Sequence, residues 1–239
     1  MKQPNLNRSI ENYRELASDY DRNCVRVMPI REKTVALLKL RSGDVVLDVA
    51  SGTGLSFPLL MQAIGTSGHL IAIESSPDMM AVARRRVAEG GWKNVTLIEA
   101  SADSVEIAIP YDAVLFHFTH DVMQSDVALE RIFRNAKASA RIAVAGAKLR
   151  SWWLAPVNLW MLWRGRHYLT AFTGLQKPWK RLSCYVPDLS IESRLLGTAY
   201  VGSGRYDAAT STRPTTDQSV SCEIPYCVAS EHSPSEARL

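Results

Sequence analysis

Asp48-Val49-Ala50-Ser51-Gly52-Thr53-Gly54, entered from Val45-Val46-Leu47, is the stretch that decides the fold. A short apolar, β-branched run ends in a glycine turn and continues into Leu55–Ile64, which reads as strand, turn and helix. Pro58 is compatible with that helix because it falls in the first turn, where no backbone donor is needed. Two glycines let the backbone pass close to a ligand at the carboxyl edge of a sheet, where open α/β sheets bind.

The same alternation continues outward. His69–Ile73, closed by Glu74, is a second strand, and Ser76-Pro77 caps a helix over Pro77–Glu89. Val95–Glu99, Ala113–Phe116 and Arg141–Ala145 are further strands, with a helix over Asp126–Ala138 between the last two. Strands alternating with helices predict βαβ units and a parallel sheet covered on both faces. Two strand-like runs, Leu189–Leu196 and Thr198–Arg205, flank Gly197 and are expected to form an antiparallel pair at the sheet edge. Upstream, Ile10, Tyr13, Leu16, Ala17 and Tyr20 recur at helical spacing over 8–21, and a second helix is expected over Ile30–Leu40. The expected organisation is therefore N-terminal helices over 1–42, an α/β domain over 43–206 with a Trp-rich insertion at 151–182, and a tail over 207–239. Ten of the 33 tail residues are Ser or Thr, without periodicity, which reads as disorder.

Composition excludes several classes. With 46% apolar and 22% charged residues in 239, the chain is built to form a core. Its longest uncharged apolar-rich stretch, Ser151–Trp163, has 13 residues, fewer than the ~20 that a spanning helix requires. The start, MKQPNLNRSIENYREL, does not read as a secretory signal, and four scattered cysteines suit a reducing compartment. A cytoplasmic protein is expected. Net charge is only +4, but Arg131–Pro187 holds eleven Lys or Arg in 57 positions and no acid. Such asymmetry suits an anionic partner or a merely solvated face.

The glycine turn limits the cofactor. A dinucleotide fingerprint needs glycines in G-x-G-x-x-G order, but the three positions here are Ala50, Gly52 and Leu55. Asp48 also repels a pyrophosphate and favours a cationic ligand. No G-K-[ST] follows, so a P-loop is excluded.

These residues resemble the first motif, acidic-x-G-x-G-x-G, of the Rossmann-like (class I) S-adenosylmethionine (SAM)-dependent methyltransferases, with Ala50 in place of the first glycine. Glu74 at the end of the second strand, Ala102-Asp103 after the third and Tyr111-Asp112-Ala113-Val114-Leu115-Phe116 match further motifs in order. Ala17-Ser18-Asp19-Tyr20-Asp21-Arg22-Asn23 is similar to a pattern of the ubiquinone/menaquinone-biosynthesis group, and Gly52–Leu59 to bacterial phosphatidylethanolamine N-methyltransferases. The resemblance implies a methyltransferase sandwich: a mostly parallel seven-stranded sheet with an antiparallel edge strand and helices on both faces. It implies SAM held by Asp48, Ala50, Ser51, Gly52, Gly54, Glu74, Ser75, Met79, Ala102, Asp103, Phe116 and Tyr20. Glu74 takes the ribose hydroxyls and Asp103 the adenine amino group in that reading, so loss of Glu74 is expected to weaken binding while the fold persists.

Methyl transfer needs alignment more than acid–base machinery, and a base only where the acceptor must lose a proton. The fourth strand ends in Leu115-Phe116-His117-Phe118-Thr119-His120, not the D/N-P-P-Y pattern of amide and adenine methylation. His120, with Asp121 beside it, and His117 are the candidate bases; the alternative is that they cap the strand. Cys222, Cys227 and His232 supply too few ligands for a structural zinc, and no metal is expected. Trp152, Trp153, Trp160 and Trp163 are the candidate acceptor pocket. Bracketed by cations, they read as an interfacial helix at an anionic membrane surface, a closed aromatic pocket, or core packing. The expected acceptor is a small hydrophobic or amphipathic molecule, secondary metabolite or lipid. The rivals are a nucleic-acid methyltransferase, disfavoured because the cations interleave with apolar residues, and a non-catalytic SAM-fold subunit.

Overall fold

The computed structural model describes residues 27–149 and 174–208. The expected helix over 8–21, Tyr20, the four candidate pocket tryptophans Trp152, Trp153, Trp160 and Trp163, and nearly all of the expected tail lie outside them.

The described elements run α1 (Met28–Leu37), β1 (Val45–Val49), α2 (Phe57–Ile64), β2 (His69–Glu74), α3 (Pro77–Glu89) and β3 (Val95–Glu99). They continue with β4 (Tyr111–His117), α4 (His120–Met123), α5 (Asp126–Arg134), β5 (Ala136–Ala147), β6 (Ser190–Arg194) and β7 (Ala199–Arg205). The seven strands form one sheet in the order β3-β2-β1-β4-β5-β7-β6. The first five run parallel; β7 is antiparallel to both β5 and β6, so the outermost strand, β6, points with the parallel set.

Side-chain alternation divides the core. Leu47, Val49, Val114, Phe116, Ile142 and Val144 pack on the face that carries α5, against Leu129, Ile132 and Phe133. Val46, Ala113, Leu115 and Ala143 pack on the other face, under Val35 and Leu38 of α1 and Phe57 and Leu60 of α2. Strands buried on both faces in this way read as unbroken apolar runs. Each Val, Leu, Ile or Phe among them contributes roughly 1.5–3 kcal/mol by leaving water.

Local chemistry sets the helix ends. Ser76 accepts from the Met79 N–H at 3.4 Å, and Ser125 from the Ala128 N–H at 3.2 Å, as N-caps do. Several boundaries depart from the sequence expectation. The α1 helix ends before Leu40 because Lys39 takes a left-handed φ of 47°. The Leu55–Ile64 helix begins only at Phe57. The helix expected to reach Ala138 stops at Arg134, because Ala136 already pairs with Tyr111 and starts β5, which is longer than Arg141–Ala145.

Candidate functional site

The site forms where β1, β2 and β4 finish. Strand β1 delivers Asp48 to the α1 side of the sheet, in register with Ala72 and Leu115. The turn after it begins with Ala50 in a left-handed conformation, φ 50°, and continues through Gly52 at 59° and Gly54 at 77°. A left-handed φ is costly for any residue with a Cβ, so Ala50 carries strain that a glycine would avoid. At Gly54 a Cβ would lie 2.5 Å from the Phe57 ring, whereas at Gly52 it would meet nothing within 4 Å. Gly52 thus borders open space, and Gly54 seats the turn on α2.

Glu74 joins this turn to β2. Its Oε2 accepts the Gly52 N–H at 2.8 Å, and its Oε1 accepts the Ser76 N–H at 2.8 Å. Glu74 is 7% exposed, and burial raises its pKa against the pull of these donors and those of Ser75. Asp48 is more extreme. It is 1% exposed, its Oδ2 has no hydrogen-bond partner, and burial pushes its pKa up to about 7, with the Arg31 guanidinium opposing and Glu74 assisting. The edge is therefore less negative at neutral pH than two carboxylates imply.

Arg31 is the residue the sequence reading missed. It is buried in α1 and donates to Ser56 Oγ at 2.5 Å, and its charge acts on Asp48 and on His117. The available signal was its position among Ile30, Thr34, Val35 and Leu38, on the helix face that turns inward. Arg86 of α3 was missed as well; its Nη1 holds the Thr53 carbonyl at 2.5 Å and so braces the glycine turn.

His117 and His120 end β4 and begin α4, both nearly buried. Neither ring nitrogen of His117 has a hydrogen-bond partner, and burial, reinforced by Arg31, lowers its pKa well below the usual histidine value. It is a neutral imidazole at physiological pH. Phe118, between the two histidines, has a φ of 61° and meets the His117 ring edge-on at 4.8 Å. A bulky residue in that region is a backbone outlier held by its surroundings, as functional strand ends often are.

The remaining candidates are placed unequally. Ser51 is buried at the turn, and its hydroxyl has no partner. Ser75 directly follows Glu74. Asp103 is exposed and accepts from Ser125 Oγ, the α5 cap. The side chains of Met79, Ala102 and Phe116 are buried; Phe116 has no exposed surface and lies 6.4 Å from Phe133 in the α5-side core, opposite Asp48. Strand alternation turns the Phe116 side chain to the face away from Asp48 and His117, where it packs in the core. Among the described residues, then, Asp48, Ser51, Gly52, Glu74, Arg31 and His117 come together at one edge.

Comparison with known proteins bears on the fold and on the matched domain. Residues 46–140, from β1 into β5, match the methyltransferase-domain family. A ubiquinone/menaquinone biosynthesis C-methyltransferase of Legionella pneumophila is 30% identical over 146 residues, 56% of this chain and 57% of that protein. A demethylmenaquinone methyltransferase of Shouchella clausii is 33% identical over 88 residues, 37% of this chain and 36% of that protein. The crystal structure of a SAM-dependent methyltransferase from Aquifex aeolicus has the same fold, with a TM-score of 0.53 at 23% identity, covering 74% of this chain and 89% of that one. The chain spans little more than half the length of the Legionella relative and about a third of the Shouchella one.

Proposed function

We infer, from a chain that resembles the class I SAM-dependent methyltransferases in motif order, fold and a matched domain over 46–140, that it transfers a methyl group from SAM to a small lipophilic acceptor. The observation that carries this reading is the buried Asp48 carboxyl with an unpartnered oxygen, set beside the Gly52–Glu74 hydrogen bond and open space at Gly52. Buried polar atoms in folded proteins are nearly always satisfied, so an orphan at a strand end points to a missing ligand.

The residues fit the cofactor chemically. When bound, SAM supplies a methyl group on a positively charged sulfur. The two Glu74 oxygens, already facing the Gly52, Ser75 and Ser76 donors, are the acceptors we assign to two adjacent ribose hydroxyls. Asp48 offers a carboxylate for an ammonium and Arg31 a guanidinium for a carboxylate, together the complement of an amino-acid terminus. Asp103 retains acceptor capacity for an exocyclic amine. His117, neutral and beside Arg31, is better suited to hydrogen-bonding an acceptor oxygen than to taking a proton, since a second buried cation there is costly. His120 is then the remaining candidate base.

The relatives act in quinone biosynthesis, which favours a prenylated hydroquinone or demethylmenaquinol-type acceptor, methylated on ring carbon. The test is calorimetric titration with S-adenosylhomocysteine, followed by labelled-methyl transfer to a short-chain demethylmenaquinol. Saturable binding with label in the quinol supports the reading. No binding refutes the cofactor assignment, and binding without transfer to any quinol refutes the acceptor.

A further inference from the structure

Two leucines stand out from the folding pattern. Leu195 is 56% exposed and Leu196 88%, in the turn between β6 and β7. They occupy successive left-handed positions, φ 47° and 54°, followed by Gly197 at 86°. Asn or Gly adopts that backbone at low cost, so two leucines are unfavourable here both conformationally and in contact with water. Nothing in the fold of the described residues is gained by them.

Their position gives them a use. Because β6 runs with the parallel strands, its end emerges at the same carboxyl edge as Asp48, Glu74 and His117. The Lys148 N–H, just past β5, donates to the Thr198 carbonyl at 2.9 Å and ties the turn to that edge. Cations surround it. Lys148 Nζ donates to Ser193 Oγ at 2.7 Å and lies 5.7 Å from the centre of the Trp179 ring. Among the described residues, Arg194 Nη2 and Lys33 Nζ approach one Glu192 carboxylate at 2.7 and 3.6 Å, two cations on a single acid in the strand that leads into the leucines. Lys33 shares α1 with Arg31, so one helix reaches both the site and the turn.

We propose that the Leu195–Leu196 turn inserts into an anionic lipid bilayer and seats the carboxyl edge of the sheet on the membrane surface. Apolar tips with cations in the flanking segments match the hydrocarbon boundary and the negative headgroups of such a surface. A second copy of the chain is a poorer occupant: two side chains fall far short of the ~800 Å² per partner that a stable interface buries. Among the described residues no helix is long and apolar enough to cross a membrane. The inference does not depend on which acceptor is methylated.

The test is flotation of the full chain with phosphatidylcholine vesicles, with and without phosphatidylserine, at low and high salt. Wild type should float with the phosphatidylserine vesicles at low salt and less at high salt. L195N/L196N, whose asparagines suit the left-handed backbone, should melt no lower than wild type and lose at least about fivefold in vesicle partitioning. Should the double variant fail to fold, Leu196→Ser alone, at a side chain already in water, is read by the same fivefold criterion. Absence of wild-type binding, or a smaller loss in the variant, overturns the proposal. A change in sedimentation mass without vesicle binding also overturns it, in favour of self-association. Cofactor titration of the same variants keeps this outcome separate from the fate of the methyltransferase reading.

Discussion

The Gly52 N–H donates to Glu74 Oε2 at 2.8 Å, so the turn after the first strand is fastened to the end of the second by the side chain expected to hold the cofactor ribose. Glu74 is therefore a structural bracket as well as the ribose ligand we propose. With Ser76 on its other oxygen, it fixes the spacing of the two segments that border the open space at Gly52.

Glu74→Ala should accordingly do two things. It strips an acceptor from two backbone donors, at about 1–3 kcal/mol each, and should lower the melting temperature by several degrees. It should also weaken S-adenosylhomocysteine binding by more than about tenfold, since hydrogen bonds to a charged group contribute about 1.5–3 kcal/mol. Calorimetry and a thermal melt measure both. An unchanged melt with reduced binding would restore the simpler expectation that Glu74 only contacts ligand.

Asp48 predicts a pH signature. Burial holds its pKa at about 7, so the fold favours the protonated form. A raised carboxyl pKa contributes stability below the unfolded value that is lost as pH rises through about 7. The stability difference between D48N and wild type should move in favour of the variant across that window, as followed by urea unfolding. A cationic ligand group favours the ionised carboxyl, so cofactor affinity should rise several-fold from about pH 6 to about pH 8 in wild type and stay flat in D48N. A flat wild-type profile would remove Asp48 from the binding reading.

Ala50 tests the strain at the turn. Relief of its left-handed φ is worth about 1–2 kcal/mol, against about 0.4–1 kcal/mol for the added freedom of an unfolded glycine. Ala50→Gly should be neutral to slightly stabilising, whereas Ala50→Val, branched at Cβ, should destabilise by about 2 kcal/mol or more. Denaturant midpoints decide it; a valine variant as stable as wild type would show that the turn is not constrained as described.

The carboxyl-terminal boundary is equally testable. Tyr206 stacks on Phe133 at 4.9 Å, donates to the Ala140 carbonyl at 2.9 Å and accepts from the Ser139 N–H at 3.1 Å. A chain ending at Ala208 should keep the full chain's melting temperature. One ending at Gly204 should lose about 3–5 kcal/mol, as for an aromatic removed from a core. A large drop on removing 209–239 would place the domain boundary further along.

Much of this architecture was legible in the sequence because it is written locally. The strand Val45–Val49, the cap Ser76 before Pro77 and the glycines at 52 and 54 each declare themselves through periodicity, capping chemistry or a demand for positive φ. Glu74 was singled out by its place at the end of the second strand, through the resemblance to the methyltransferase motifs. Where strand and helix signals overlapped, as at Ala136–Ala138, pairing with Tyr111 won over helix periodicity, and only the assembled sheet could supply that partner.

What the sequence determined by itself is the order of strands and helices and the carboxylates and glycines at their ends, since these follow from neighbours along the chain. Tertiary structure alone decided that Arg31 from α1 sits with Asp48 and His117, that Phe116 faces the core, and that Leu195 and Leu196 project from the same edge as the site. The reason is physical: proton affinity and the cost of exposure depend on what packs over a group from distant parts of the chain, and no local pattern encodes that desolvation.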